Sequence, residues 1–317
     1  MTSKPKIGIT IGDPNGIGPE VAIKACLDES VINKCEIVFI GSKSVIDRAN
    51  EEFGDKKALS VIDPTEFNIK DLTPGKVSIS AGKASIKSIE IAVELALNGD
   101  IDAIVTAPIS KESIHLAGSK YPGHTEMLKD LTNSEKAMML FEGEFFKVAL
   151  LTIHVSLKDV PGLIKRQTIY EAIKLCGKEL KEKFDIDNPK IAVCALNPHA
   201  GEAGAFGNEE IKEIKPAIEK SRNEGINVEG PFPADTLFYF AKQKKWDLII
   251  AMYHDQGLIP FKMLSFDRGV NVTIGIPVIR TSPDHGTAFN LAWKGVADPN
   301  SMIEAINTAC KMINTKI

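Results

Sequence analysis

The sequence lacks a long hydrophobic run, an excess of basic residues and paired cysteines, and each absence excludes a class of protein. No apolar run approaches the roughly 18 residues that a membrane-spanning helix needs. The net charge is −4, so no basic field favours nucleic acid. The five cysteines are odd in number and form no CxxC pair, which fits reduced thiols and argues against cysteine metal ligands. We therefore expect a cytoplasmic protein, and we expect no signal peptide because the first residues run directly into a strand pattern.

Short apolar runs alternate with helical patterns along all 317 residues, a length typical of about two domains or lobes. The pattern predicts strands at Lys6–Ile11, Glu36–Ile40, Ala103–Thr106, Lys190–Leu196 and Leu248–Met252. It predicts helices at Pro19–Leu27, Ala84–Leu97, Thr168–Phe184, Glu209–Glu224 and Ser301–Ile313. The runs Ala137–Phe141 and Phe145–Thr152 predict a hairpin. The alternation indicates an α/β protein with a largely parallel sheet.

Half of the six histidines follow apolar runs that predict buried strands. They are His154, His199 and His254. In open α/β sheets, ligands bind just beyond the carboxyl ends of the strands. Three neutral imidazoles can hold a divalent metal and leave positions open for substrate. The alternative is three unrelated histidines at strand ends.

Two glycine-containing turns precede predicted helices. Gly12–Glu20 matches neither a Walker A loop nor GxGxxG, so by itself it indicates a strand-to-helix turn with Pro19 in the first helical turn. In the segment Gly123–Glu126, Thr125 could cap the next helix, whose free N–H groups could hold an anion beside His124. An anion there would favour charged His124.

Cationic and amide side chains follow the third histidine. Lys262, Asn271 and Arg280 could bind a phosphate or a carboxylate, although exposed lysines and arginines are often simply solvated. Arg280 ends an apolar strand pattern. Asp235 could cap a helix. The small-residue turn at residues 285–288 could receive a flat ring and its ribose, or it could be a packed turn.

Together these segments resemble the 4-hydroxythreonine-4-phosphate dehydrogenase family of pyridoxal phosphate biosynthesis. The resemblance spans nearly the whole chain, with the motifs in the family's order. The matching stretches are Gly12–Glu20, Thr106–Lys111, Gly123–Glu126, the context of His154, Asn197–Glu202, Gly230–Phe238, Met252–Gly257, Gly269–Gly275 and Arg280–Ala288. Two of the stretches, Gly16–Glu20 and His285–Ala288 with Lys294–Pro299, also resemble the wider isocitrate and isopropylmalate dehydrogenase group.

The resemblance implies a two-lobed α/β/α isocitrate/isopropylmalate dehydrogenase-like fold and not a classical Rossmann domain. We place lobe 1 at about residues 1–116 plus 285–317 and lobe 2 at about 117–284. The family also implies a homodimer whose active site is shared between subunits, with the third histidine supplied by the partner. The implied metal ligands are His154, His199 and His254. The implied substrate contacts are His124, Thr125, Lys262, Asn271 and Arg280, and the adenosine-binding loop is His285, Gly286, Thr287 and Ala288.

The expected reaction is the metal-dependent, NAD- or NADP-linked oxidation of 4-hydroxy-L-threonine 4-phosphate to a 3-oxo acid, which decarboxylates to 3-amino-2-oxopropyl phosphate. Asp235 or Asp255 could be the base and Lys262 a proton donor. The metal could be zinc, cobalt, manganese, nickel or magnesium. Close relatives with the same motifs oxidise D-threonate or D-erythronate 4-phosphate, which is the alternative. A metal-dependent hydrolase of a phosphorylated substrate and a phosphate acyltransferase are more distant alternatives.

Overall fold

The structure, a computed structural model, describes residues 4–314, and within them the chain divides into two compact units. The first unit comprises the chain up to Ala137 together with the chain from Val270 onward, and the second is Met138–Gly269. The sequence placed the divisions near residues 117 and 284. The segments that carry His124, Asn271 and Arg280 therefore belong to the first unit.

The secondary structure of residues 4–314 alternates between strands and helices. The strands are β1 (Lys6–Thr10), β2 (Glu36–Ile40), β3 (Val61–Ile62), β4 (Ala103–Thr106), β5 (Met138–Glu142), β6 (Lys147–Leu150), β7 (Ile191–Cys194), β8 (Val228–Phe232), β9 (Leu248–Ala251), β10 (Val270–Ile274) and β11 (Arg280–Pro283). The α-helices are α1 (Gly18–Ala25), α2 (Glu29–Ile32), α3 (Lys43–Phe53), α4 (Ile79–Asn98), α5 (Lys111–Leu116), α6 (His124–Leu131), α7 (Val160–Leu163), α8 (Arg166–Phe184), α9 (Lys215–Asn223), α10 (Ala234–Ala241), α11 (His254–Ser265) and α12 (Asn300–Asn314). The predicted α/β class is confirmed. No helix in this range is both long and apolar enough to cross a membrane.

In the first unit the strands lie in the order β3-β2-β1-β4-β11-β10. All neighbours are parallel except β10 and β11, which are antiparallel. Strand β4 is buried along its whole length, as expected for a parallel strand covered on both faces. The antiparallel pair after β4 departs from the all-parallel 3-2-1-4-5-6 order of a classical Rossmann domain. The sequence pattern predicted that Arg280 ends a strand. This prediction is wrong, because Arg280 begins β11.

Helix α4 begins earlier than its predicted start at Ala84, because Ser78 caps it. The Ser78 hydroxyl accepts a hydrogen bond from the backbone N–H of Ala81 at 3.1 Å. The helix ends at Gly99, whose φ of 79° is the left-handed conformation that commonly closes a helix. Its buried face packs with Ile40, Ile104 and Leu128, so α6 belongs to the core of the first unit.

In the second unit the strands lie in the order β5-β6-β9-β7-β8. The predicted hairpin is confirmed, since β5 and β6 are antiparallel, while β6, β9, β7 and β8 are parallel neighbours. In its core the Phe261 ring packs edge-on against the rings of Phe141 and Phe146. The helix predicted at Glu209–Glu224 is a π-helical turn, Glu210–Ile214, followed by α9. Pro216 is the second residue of α9 and directly follows the π-helical turn.

Candidate functional site

Four neighbouring parallel strands of the second unit end at predicted site residues. Strand β6 precedes His154, β9 precedes His254, β7 precedes His199 and β8 precedes Asp235. The sequence predicted histidines at strand ends, and the structure makes β6, β9 and β7 direct neighbours. The three histidines therefore lie at one carboxyl edge, where α/β sheets bind ligands.

Two polar side chains tie these strand ends together. The Thr152 hydroxyl donates to the Met252 carbonyl at 2.8 Å, which links the segments that carry His154 and His254. The Gln256 side chain accepts from the Met252 N–H at 2.7 Å and donates to the Ala195 carbonyl at 2.7 Å. Neither residue was predicted as part of the site. Each is a polar residue shortly after a strand end, and this position could have identified it as a candidate.

The imidazoles of His154 and His254 are close neighbours, with ring centroids 6.1 Å apart. Together with Tyr253 and Asp255 they line a cavity of about 500 Å³. His254 Nδ1 lies 2.7 Å from Asp255 Oδ1, and this bond orients the ring and leaves Nε2 to face a ligand. This carboxylate–histidine pairing is the arrangement that metal-binding histidines usually have, so these residues fit a divalent ion.

His199 is exposed in a left-handed turn, with its ring centroid 6.2 Å from that of Phe206. Within residues 4–314, no three His, Cys, Asp or Glu side chains lie together as a ligand set for one metal. One chain therefore brings two of the three predicted ligands close together and does not by itself assemble the trio.

The predicted proton-transfer residues occupy different environments. Asp235 is exposed in the first turn of α10 and accepts from the Thr236 N–H at 2.8 Å. Its interpretation as a helix cap is wrong, because Pro233 holds the N-cap position. Asp255 bonds to His254, and Lys262 lies two turns further along α11 with its ammonium 5.6 Å from the Phe266 ring.

Arg280 is buried in the first unit, with only 2% of its surface exposed. Its Nη1 donates to the Thr273 hydroxyl at 3.0 Å and its Nη2 to the Thr106 hydroxyl at 2.6 Å. Within the described chain its Nε is buried with no hydrogen-bond partner. Burial lowers the pKa of Arg280 to about 9, which reflects a guanidinium with no anionic partner.

Further unsatisfied polar atoms surround the same strands and α6. The buried atoms that lack a partner in the described chain include His124 Nε2, Thr125 Oγ1 and Asn271 Oδ1. Arg280 is opposite Thr273 across the β10–β11 pair, and Asn271 lies two residues before Thr273, so Arg280 and Asn271 share a face. Burial, and then the Arg280 charge, lowers the pKa of His124 well below its usual range. Native proteins rarely leave such groups unpaired. The Arg280 charge and the Thr125 hydroxyl suit an anion, whereas Asn271 Oδ1 only accepts, so the atoms fit a ligand that carries both an anionic group and a hydrogen-bond donor.

Helix α6 begins differently from the prediction. Gly123 holds its N-cap position without a side-chain hydrogen bond, and Thr125 lies inside the first turn. Thr125 is therefore not the cap. Its hydroxyl is buried near the N-terminal N–H groups, which favour an anion.

The predicted adenosine loop contacts the first glycine-rich turn. The Ile17 N–H donates to the Thr287 carbonyl at 3.0 Å, and a Cβ at Gly16 would lie 3.1 Å from Thr287 atoms. The loop bends through Ala288, which has a φ of 38°. A Cβ at Gly286 would have no heavy atom within 4 Å, so open space adjoins this turn. The small residues and this space fit a flat ring of a dinucleotide.

Glu20 fixes the chain at Gly295 and Ala297, after the 285–288 turn, and no role was predicted for it. Its fully buried carboxylate accepts from the Ala297 N–H at 2.8 Å and the Gly295 N–H at 3.2 Å. It also pairs with Lys24 at 2.7 Å. A glutamate that ends a glycine-rich turn gives no sequence sign of such distant partners.

Comparisons with known proteins cover nearly the whole chain. The chain is 44% identical to a 4-hydroxythreonine-4-phosphate dehydrogenase of Desulforapulum autotrophicum, over 97% of this chain and 95% of that protein. It is 43% identical to a protein of Oceanobacillus iheyensis named "Putative D-threonate 4-phosphate dehydrogenase", over 100% of both.

A solved structure supports the same relationship. The crystal structure of a 4-hydroxythreonine-4-phosphate dehydrogenase from Burkholderia phymatum is 41% identical and matches with a TM-score of 0.84 over 98% of this chain and 99% of that one. This likeness confirms the fold expected from the resemblance. The family model described as "Pyridoxal phosphate biosynthetic protein PdxA" matches residues 23–309. The chain belongs to the PdxA family of pyridoxal phosphate biosynthetic proteins.

Proposed function

We propose that this protein oxidises 4-hydroxy-L-threonine 4-phosphate with NAD or NADP to a 3-oxo acid, which decarboxylates to 3-amino-2-oxopropyl phosphate. The observation that carries the proposal is the buried Arg280, whose Nε lacks a partner in the described chain beside the unsatisfied atoms of His124, Thr125 and Asn271. A phosphate dianion would accept from the Arg280 Nε and the Thr125 hydroxyl and would balance the Arg280 charge. Asn271 Oδ1 is itself an acceptor and would need a hydrogen-bond donor of the substrate. The names of the relatives support the same substrate class.

In this proposal the first unit holds the phosphate and the dinucleotide. The Arg280 guanidinium, fixed by the hydroxyls of Thr106 and Thr273, donates to phosphate oxygens. Thr125 and the N–H groups that begin α6 donate to the same anion. The turn at residues 285–288 holds the adenosine end of the dinucleotide, whose nicotinamide ring would accept the hydride.

The groups proposed to act at the reacting alcohol follow β6, β7, β8 and β9. His154, His199 and His254 are the proposed ligands of one divalent ion. A bound ion would act as a Lewis acid on the substrate's secondary alcohol and lower its pKa. Asp255 orients His254, so Asp235 is the better candidate for a base, because its carboxylate is exposed and bonds only within its own helical turn. Lys262 is the proposed proton donor and a further contact to the substrate.

We propose a homodimer with active sites shared between subunits. Within residues 4–314 a single chain does not bring a full set of three ligands together, so the proposed metal site needs a further ligand. The chain does place the rings of His154 and His254 6.1 Å apart, which differs from the division between subunits that the resemblance implies. The resemblance assigns His154 and His199 to one subunit and His254 to its partner.

The second candidate function is the oxidation of D-threonate or D-erythronate 4-phosphate, which the Oceanobacillus iheyensis relative favours. These substrates share the phosphate and the secondary alcohol, so the anion site does not distinguish them. A hydrolase or a phosphate acyltransferase would not reduce a nicotinamide cofactor.

The test is an absorbance assay of the purified protein with NAD and with NADP against the three phosphorylated substrates. We expect reduced cofactor to accumulate fastest with 4-hydroxy-L-threonine 4-phosphate, with 3-amino-2-oxopropyl phosphate as the product found by mass spectrometry. Faster turnover of D-threonate or D-erythronate 4-phosphate would establish the second candidate. Release of inorganic phosphate or acyl transfer without cofactor reduction would overturn both.

A further inference from the structure

The turn that carries His199 has an unusual backbone. Five consecutive residues, 199–203, are left-handed, with φ values of 51°, 54°, 80°, 42° and 52°. Only Gly201 among them lacks the Cβ that penalises this conformation. Strained backbone of this kind persists only where the surrounding structure over-determines it. The chain around the turn must therefore hold it in place.

Glu210 is the residue that meets this requirement. It is fully buried, and its Oε1 accepts from the backbone N–H groups of Leu196 at 2.9 Å and Asn197 at 2.8 Å. Its Oε2 accepts from the Asn197 side-chain amide at 3.0 Å, and the neighbouring Glu209 accepts from the same amide at 2.7 Å. The carboxylate thus fixes the two residues that lead from β7 into the turn.

Two glycines show how closely the chain packs on this carboxylate and amide. A Cβ at Gly201 would lie 2.6 Å from Glu210 Oε2, and a Cβ at Gly207 would lie 2.5 Å from Asn197 Nδ2. Neither position has room for a side chain. Gly201 in the turn and Gly207 beyond it therefore both pack closely against the Glu210–Asn197 pair, while His199 itself is exposed.

We infer that Glu210, acting with Asn197, is a positioning residue that holds the 199–203 turn and so presents the His199 imidazole before any metal binds. The inference rests on the proposed function for the role of His199 as a ligand. Folding then already orders the exposed histidine, so metal binding loses less conformational entropy. Removing outer partners of metal ligands typically weakens metal affinity about 10- to 100-fold.

The test compares Glu210→Gln and Glu210→Asp with a matched control, Glu213→Gln, in the full-length protein. Glu213 belongs to the same π-helical turn and also accepts a backbone N–H, that of Arg166 at 2.7 Å, but it does not hold the 199–203 turn. In metal-free protein, we expect amide hydrogen exchange at Ala205 and Phe206, whose N–H groups donate to the carbonyls of Glu202 and Gly201 in the turn, to be at least about tenfold faster in Glu210→Gln. Exchange there should be unchanged in Glu213→Gln. Glu210→Asp keeps the charge and should restore part of the protection.

Cobalt titration, followed by visible absorption, is the second measurement. The cobalt Kd should rise about 10- to 100-fold in Glu210→Gln and stay within about twofold of wild type in Glu213→Gln. Faster exchange with an unchanged Kd would overturn the positioning role, and unchanged exchange would overturn the whole inference. If wild type binds no cobalt, the metal part of the proposed function fails, and exchange alone decides whether Glu210 holds the turn. If Glu210→Gln does not fold, Asn197→Ala replaces it with the same expected directions.

Discussion

At the scale of single residues, the buried Arg280 is the most informative feature of the first unit. Its two Nη groups are fixed by threonine hydroxyls, and these neutral partners do not balance its charge. Desolvation of a cation without an anion is costly, so the surroundings of Arg280 are electrostatically prepared for a dianion. The arginine could be proposed from the sequence, but its burial and its threonine partners could not, because Thr106 and Thr273 lie on different strands.

Replacing Arg280 tests this site directly. Arg280→Ala should lower kcat/KM for the phosphorylated substrate by an amount equivalent to ~2–4 kcal/mol, because a desolvated charge-assisted contact is lost. For wild type, the unphosphorylated alcohol should be a poor substrate. Steady-state kinetics with both compounds measures the effect. Equal turnover of the two compounds by wild type would show that the anion pocket is assigned wrongly.

His124 should make stability depend on pH. Burial and the Arg280 charge hold its folded-state pKa below the unfolded value of about 6.5. The unfolded chain therefore binds more protons below pH 6.5, and stability falls as the pH drops from there toward the folded pKa. Urea unfolding from pH 7 to pH 5 should show wild type losing up to ~1.4 kcal/mol per pH unit more than His124→Gln. Parallel curves for the two proteins would count against a buried neutral imidazole.

At the scale of elements, the loop after β11 depends on a distant carboxylate. Glu20→Gln keeps the size of the side chain but leaves fewer acceptors for Lys24 and the N–H groups of Gly295 and Ala297. We expect a loss of about 1–3 kcal/mol in the free energy of unfolding. We also expect weaker binding of the nicotinamide dinucleotide, with phosphate affinity unchanged. Calorimetry of each ligand, together with urea unfolding, measures these effects.

The control for this prediction is Asp47→Asn, which removes an exposed pair with Lys43. Both side chains of that pair are more than half exposed, so the change should cost less than about 1 kcal/mol and leave dinucleotide binding intact. A Glu20→Gln protein with lower stability but normal dinucleotide affinity would show that this loop does not contribute to cofactor binding.

Elements with a regular apolar pattern could be predicted from the sequence, and elements fixed by distant partners could not. Strand β4 has its predicted bounds, because a short apolar run that is buried between two neighbouring strands has few alternatives. The left-handed turn at 199–203 could not be predicted from the sequence, because alanines such as Ala200 and Ala203 favour a right-handed helix. Its conformation depends on Glu210, a residue outside the turn. The carboxyl-edge position of the three histidines was predictable, whereas the Gln256 and Thr152 bonds that tie their strands were not.

At the scale of the whole molecule, the proposed metal makes activity depend on a dissociable ion. Because imidazole is a borderline ligand, zinc, cobalt, manganese or nickel should bind more tightly than magnesium, which could still act through its abundance. Exhaustive treatment with a chelator should abolish turnover, and one of these ions should restore it. Elemental analysis must confirm metal removal. Full activity in protein shown to be metal-free would refute the proposed role of the histidines.

The proposed shared site predicts how inactive variants behave when mixed. If His154 and His199 come from one subunit and His254 from the partner, His154→Ala and His254→Ala homodimers should both be inactive. In a mixed dimer, one of the two sites collects both lesions and the other collects none. Random reassembly of equal amounts makes about half the dimers mixed, so roughly a quarter of all sites should be intact.

The 6.1 Å separation of the His154 and His254 rings within one chain makes this experiment decisive. If those two histidines bind the same ion from a single subunit, every subunit in the mixture carries a lesion in its own site, and unfolding and refolding the two variants together recovers nothing. If the ion lies between subunits, joint refolding should restore about a quarter of wild-type activity, while refolding either variant alone restores none. Mass spectrometry must show that mixed dimers have formed, since only then does an absence of recovery assign His154 and His254 to the same site in one chain.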